Sequence, residues 1–296
     1  MTHPKPFAAL LATDGSAAAG AAVELLRALP LPRGSVVHAL CAAEAPAVLG
    51  GSPAPGAREL VRFERAACEE AVESAASALA SAGLEIKRHV VEASALSAIL
   101  DTALGQSADL IVLGAKRRDG LTELLLGSTS LAVARRSPLP VLSARPISQG
   151  LRSVVLATDG SPPARRAGEL LSRFLLPETT EITVVQVLSP VEAEASQLGY
   201  GTDVLDQAVA GLRRAGGGAG PRPGEAPDES GRSPRLIRPA LRTGEPASEI
   251  LQVVQEVSAD LVVAGTRKVS LAESLLIGSV ADRLLKEASC SVLLVP

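Results

Sequence analysis

Asp109-Leu-Ile-Val-Leu-Gly114, with Gly127-Ser128 beyond it, returns later in the chain as Asp260-Leu-Val-Val-Ala-Gly265 with Gly278-Ser279. Gly114 and Gly265 are 151 residues apart, and so are Gly127 and Gly278, so the spacing inside the motif is unchanged. A duplication that keeps an aspartate, two glycines and the distances between them marks an internal repeat, which has to be read before anything else. In each copy an apolar run of strand length ends in glycine, a polar loop follows, and Gly-Ser opens an amphipathic helical stretch. Backbone amides at a helix start lack partners within the helix, and the macrodipole adds partial positive charge, so an anion such as phosphate suits the position. The plainer reading is that Ser128 and Ser279 are ordinary N-caps while Gly114 and Gly265 only turn the chain. Two copies at one spacing favour a shared role.

Outward from these motifs the chain alternates strand and helix. Phe7 to Thr13 reads as a strand buried on both faces, because its apolar residues do not alternate with polar ones. Asp14-Gly15-Ser16 ends it and caps a helix that Pro30 and Pro32 stop. A strand over Val36 to Cys41 follows, then a Gly- and Pro-rich loop and a long Ala- and Glu-rich helix from about Arg58 to Ala82. A strand over Ile86 to Val91, a helix over Leu96 to Leu104, the strand ending at Gly114, a short helix to Arg136 and a strand at Pro140 to Ser143 complete the half. Five strands alternating with four helices predict a parallel sheet covered on both faces. After a junction at Ile147 to Leu151 the order repeats, with Asp159-Gly160-Ser161 standing for Asp14-Gly15-Ser16. That offset is 145, six short of 151, so the second half carries net inserted residues. The stretch 213–234, dense in Gly, Pro, Arg, Ser and Glu, predicts a flexible loop, because it buries too little apolar surface to offset its chain entropy.

Composition narrows the function. With 47% hydrophobic and 21% charged residues the chain has an ordinary globular balance. Aromatics make up 1%, there is no Trp, and the net charge is −3, which argues against a nucleic-acid surface built on base stacking and a basic field. Cys41, Cys68 and Cys290 are odd in number and show no metal-type spacing. They read as small buried hydrophobes in a reducing compartment. No run reaches membrane-spanning length and Phe7 to Ala12 is too short for a signal core, so the expected location is cytoplasmic with no membrane partner.

In a doubly wound sheet, ligands sit beyond the carboxyl ends of the strands where the strand order reverses. If the first and fourth strands flank that point, Asp14 meets the Gly114 to Ser128 loop and Asp159 meets Gly265 to Ser279. A carboxylate there suits ribose hydroxyls, and loop amides suit phosphates. An Asx-turn is the structural alternative for both aspartates, and the two roles are compatible.

Thr13-Asp14-Gly15-Ser16 and Thr158-Asp159-Gly160-Ser161, the Ala-Asp-Leu strands ending in Gly114 and Gly265, Gly127-Ser128, Gly278-Ser279 and Gly244-Glu-Pro246 together resemble the universal stress protein family in its tandem form. The resemblance implies an α/β fold of two tandem doubly wound domains, 1–146 and 151–296. Each would have a five-stranded parallel sheet in the order 3-2-1-4-5. It also implies ATP binding with Mg through a Gly-x2-Gly-x9-Gly-Ser/Thr loop. On that pattern Asp14 and Asp159 face ribose and Ala39 and Val187 line the adenine pocket. Gly114, Gly127, Ser128 and Thr129, with Gly265, Gly278, Ser279 and Val280, hold phosphates. The second glycine of the loop is Arg117 in one half and Lys268 in the other. A side chain there impedes close approach of backbone to phosphate, yet a basic one offers a charge-assisted hydrogen bond of roughly 1.5–3 kcal/mol.

Three functions follow. One is a regulatory, nucleotide-responsive stress protein without significant turnover that acts through an unidentified protein partner. The second is an interaction module whose loops have decayed, and the third is a slow ATPase. His38 aligns with Gln186 in the other half and no catalytic constellation recurs, which disfavours turnover. No G-x-G-x-x-G follows either first strand, which disfavours a nicotinamide oxidoreductase. The fifth strands are sheet edges that need cover, so the halves are expected to pair through them as an intramolecular pseudo-dimer, with a homodimer of chains beyond it.

Overall fold

The computed structural model describes residues 5–44, 57–80, 82–115, 127–147, 150–197, 203–215, 235–266 and 277–296. The chain divides into two compact units, one of Met1–Arg27 and Pro32–Pro146, the other of Ala28–Leu31 and Ile147–Pro296. The first runs β1 (Ala8–Ala12), α1 (Ala17–Ala28), β2 (Val36–Ala42), α2 (Ala57–Ala80), β3 (Glu85–Val91), α3 (Ala95–Gly105), β4 (Leu110–Gly114), α4 (Ser128–Arg136) and β5 (Val141–Ala144). Its strands are all parallel and lie in the order β3-β2-β1-β4-β5. The second runs β6 (Ser153–Ala157), α5 (Pro162–Arg173), β7 (Glu181–Leu188), α6 (Pro190–Gln197), α7 (Asp203–Ala215), β8 (Ile237–Thr243), α8 (Pro246–Glu256), β9 (Leu261–Gly265), α9 (Ser279–Glu287) and β10 (Ser291–Val295). Its strands, again parallel, lie in the order β8-β7-β6-β9-β10. The expected order 3-2-1-4-5 is therefore met in each unit. Among the described residues the second differs by α6, a short helix between β7 and α7. Of the stretch 213–234, Arg213, Arg214 and Ala215 form the last turn of α7, so the expected loop starts later than the sequence suggested; 216–234 lie outside the described residues.

With so few aromatics the core is aliphatic. Leu10, Leu11, Leu25, Leu26, Leu40, Leu110, Ile111 and Leu142 are fully buried in the first unit, and Leu156, Leu171 and Ile182 in the second. The central strands β1, β4, β6 and β9 are buried along nearly their whole length because helices cover both faces. The outer strands β3 and β8 carry Glu85, Lys87 and Arg88, and Arg238, Pro239 and Arg242, charges and a proline that discourage pairing with a further strand.

The repeated aspartates prove to be fasteners at the start of the fourth strand. Asp109 accepts from the Ala8 amide through Oδ2 (2.9 Å), and Asp260 accepts from the amides of Arg152 and Ser153 (2.8 and 3.0 Å). Each thereby sets the register of the first strand against the fourth.

The cysteine expectation is corrected. Cys41 on β2 and Cys68 on α2 form a disulfide, with Cα atoms 5.3 Å apart, and Cys290 is a buried cysteine outside it. The two lie 27 residues apart in sequence, and they meet because α2 packs back onto β2 with Ala39, Ala43 and Val72 around the bond. No local spacing signals such a pair.

Candidate functional site

Each unit has a crevice at the carboxyl ends of its strands, where the order reverses. In the first unit it is lined by Thr13 and Asp14 after β1, Leu40 and Ala42 of β2, Leu113 and Gly114 of β4, Ala95 and Ile99 of α3, and Gly127 to Ser130 at the start of α4. In the second it is lined by Thr158 and Asp159 after β6, Val185 and Val187 of β7, Ala264 and Gly265 of β9, Pro246 and Ile250 of α8, and Gly278 to Ala281 at the start of α9. The acid and the Gly-Ser helix start, about a hundred residues apart in each half, thus share one cavity. Among the described residues no His, Cys or Lys lines either one.

The turn carrying the acid is the same in both units. Thr13 Oγ1 accepts from the Gly15 amide and Asp14 Oδ1 from the Ser16 amide (3.3 and 3.0 Å); Thr158 and Asp159 repeat this with Gly160 and Ser161 (3.3 and 2.9 Å). The Asx-turn is therefore present, on an exposed carboxylate at the mouth of the crevice. Gly15 and Gly160 have φ of +72° and +73°, a conformation that L side chains avoid, so glycine here serves the turn. Ser16 and Ser161 then cap α1 and α5 through Oγ.

Gly114 and Gly265 have a different purpose. A Cβ on Gly114 would sit 2.1 Å from the Ala18 carbonyl oxygen, and one on Gly265 would sit 2.4 Å from the Ala164 amide nitrogen. These glycines let the first turn of α1 or α5 lie directly on the end of the fourth strand, which narrows the crevice. They do not merely turn the chain.

The helix starts also correct the sequence reading. The N-caps of α4 and α9 are Gly127 and Gly278, with Ser128 and Ser279 the first helical residues, and no side chain caps either helix. Gly278 has φ −53° and ψ 150°, which any residue adopts, and among the described residues a Cβ on it would meet nothing within 4 Å. Neither its backbone nor its packing against the described residues calls for glycine there. In the first unit Ser130 Oγ donates to the Gly114 carbonyl (3.0 Å) and seats the first turn of α4; Ala281 occupies that place in the second.

Of the residues singled out in the sequence, Asp14, Gly114, Gly127, Ser128 and Thr129 line the first crevice, and Asp159, Val187, Gly265, Gly278, Ser279 and Val280 the second. Arg117 and Lys268 lie outside the described residues. Ala39 does not reach the crevice: it packs with Cys41, Cys68 and Val72 on the other face of β2. Ala12 pairs with Leu40 and Ala157 with Val185, so Leu40 corresponds to Val185, Ala42 to Val187 and Cys41 to Gln186. The counterpart of His38 is Thr183, three residues from the one the sequence suggested. Sequence reasoning missed Leu40, Ala42, Leu113 and the helix residues Ala95, Ile99, Pro246 and Ile250, since an apolar lining carries no motif.

His38 pairs with another residue that the sequence left unconnected. Its Nδ1 lies 2.9 Å from Nε2 of His89, with the rings stacked 5.1 Å apart, away from the crevice lining. Burial is the first cause holding both imidazoles below their ordinary pKa. Lys87 adds to this for both, His89 adds to it for His38, and Glu85 opposes it for His38.

The universal stress protein family model matches residues 8–145 and again 150–296. The chain belongs to the universal stress protein family. A universal stress protein of Thermus aquaticus is 36% identical over 144 residues, 49% of this chain and 98% of that one. One from Methanocaldococcus jannaschii is 42% identical over 59 residues, 20% of this chain and only 35% of the length of that relative. Among solved structures, a universal stress protein from Archaeoglobus fulgidus superimposes with TM-score 0.69 over 97% of both chains at 18% identity, a likeness of fold. Among the described residues, no helix of this universal stress protein is long and apolar enough to cross a membrane, and no group of three or more His, Cys, Asp or Glu could hold a metal ion.

Proposed function

We propose that this universal stress protein binds an adenine nucleotide, ATP with Mg, and works in the stress response by changing its contacts with a protein partner instead of by turnover. The observation that carries the reading is the pairing, in one crevice, of an exposed acid with a helix start that no described side chain caps and whose glycine no described neighbour requires. Asp159 would take ribose hydroxyls, while the amides of Ser279 and Val280 would take phosphate oxygens with the α9 dipole behind them. Val185 and Val187 offer an apolar bed for a base. Arg117 and Lys268 remain proposed phosphate contacts. The location we assign is cytoplasmic. The assembly we assign is an intramolecular pseudo-dimer of the two halves, with a homodimer of chains to be sought by light scattering.

The test is direct. Denaturing the purified protein and chromatographing what is released, together with calorimetric titration of Mg-ATP, should give adenine nucleotide and saturable heat. Neither appearing would leave an interaction module with decayed loops as the better account.

A further inference from the structure

The two crevices are built alike but are not equally roomy. The second encloses about 320 Å³ and the first about 200 Å³. Pockets that take small organic ligands run from roughly 300 to 1,000 Å³. One lies inside that range and the other below it.

Position by position, the difference that narrows the first crevice most lies on the fourth strand. On β4 the first crevice has Leu113 where β9 has Ala264, whereas between β2 and β7 the extra carbon of Leu40 against Val185 is offset by Ala42 against Val187. Leu113 and Leu40 are 4% and 1% exposed, so they form floor, not rim. Leu113 adds three carbons relative to Ala264 and Leu40 adds one relative to Val185. Of the remaining differences, Thr129 against Val280 is close to isosteric, and Pro246, bulkier than Ala95, stands exposed at the mouth. The Asp and Gly-Ser motifs are common to both units, and the hydroxyl of Ser130 is engaged by the Gly114 carbonyl, so the bulk of Leu113 is what sets the first crevice apart.

We propose that the chain carries one nucleotide, in the second half, and that Leu113 keeps the nucleoside part out of the first. Ala264 is then the residue that makes the second crevice selective for a nucleotide-sized ligand. The proposal rests on the nucleotide reading above and narrows it to one site.

Calorimetric titration of Mg-ATP into the intact chain should give a stoichiometry near one. Ala264→Leu, which transplants the first unit's floor into the second, should weaken binding at least tenfold, and Leu113→Ala should raise the stoichiometry towards two. Photolabelling of the unaltered protein with 8-azido-ATP, followed by peptide mapping, gives the location without relying on any variant; label should fall within residues 151–296. Two equivalent sites, or label shared equally between the halves, would overturn the proposal while leaving nucleotide binding intact. Tight binding that Ala264→Leu does not change, in a variant whose circular dichroism matches the parent, would overturn it as well. No binding at all would instead remove the nucleotide reading itself.

Discussion

Gly265 and Gly278 belong to the same repeated loop, and the structure assigns them opposite duties that substitution can separate. A methyl on Gly265 would lie 2.4 Å from the Ala164 nitrogen and 2.5 Å from the Pro163 carbonyl carbon. Both are backbone atoms of the first turn of α5, so no rotamer relieves the clash and the helix must move by roughly 1 Å off β9. Overpacking of this kind costs about 1–3 kcal/mol, and backbone contacts belong at the upper end. For a unit of this size each kcal/mol lowers the unfolding midpoint by about 2–4 °C. Gly265→Ala should therefore melt roughly 5–10 °C lower in the second unit's transition. Gly278→Thr is the contrasting case. With φ −53° and no described atom within 4 Å of the Cβ, threonine fits, and it is about as good an N-cap as glycine, so stability should stay within about 0.5 kcal/mol. Its side chain would nonetheless fill the space before the amides of α9, and Mg-ATP affinity should fall at least tenfold, about 1.4 kcal/mol. Thermal circular dichroism and calorimetry read the two effects. A Gly265→Ala protein as stable as its parent would refute the close approach of α5 to β9, and unchanged affinity in Gly278→Thr would refute the assignment of that glycine to a ligand.

Thiol titration under denaturing conditions should find one reactive cysteine before reduction and three after it, since Cys41 and Cys68 are joined. Closing a loop over a sequence separation of 27 contributes about 3–4 kcal/mol on chain-entropy grounds, so reduction should destabilise the first unit by up to that amount in urea titration. Because His38 and His89 both have pKa values lowered in the folded state, the unfolded chain binds more protons; their contribution is intact above the ordinary value of 6.5 and is lost as pH falls below it. His89→Gln should flatten that part of the stability profile, and a profile unchanged by the substitution would count against the pair. Asp260→Ala removes a charged acceptor from two β6 amides and should cost about 2 kcal/mol with nucleotide affinity unaltered, because it sits at the far end of the strand from the crevice.

The fold was legible because each unit's essential signals are local: apolar runs that do not alternate, Asp-Gly-Ser turns and a duplicated motif whose spacing survives between Gly114 and Gly127 and again between Gly265 and Gly278. The convergence of Asp14 with Gly127 was legible too, since strand order follows from topology. What escaped was set by tertiary packing. β2 has one polar residue, His38, while β7 has two inside its apolar run, Thr183 and Gln186, so sequence alone leaves their alignment open; only the hydrogen bonds to β1 and β6 fix it, and a shift of three positions put Ala39 where Ala42 belongs. Cys41 and Cys68 looked unrelated because α2 returns over β2 at a distance that sequence spacing does not encode. The same limitation hides the inequality of the two crevices. Leu113 and Ala264 are both unremarkable in a strand, and only a shared register turns a three-carbon difference into a closed or an open floor. In a duplicated fold of this sort the polar motif can be kept in both copies by the turns and caps it also serves, as Thr13 to Ser16 and Thr158 to Ser161 do here. The capacity to hold a ligand is then decided by aliphatic positions that no motif records.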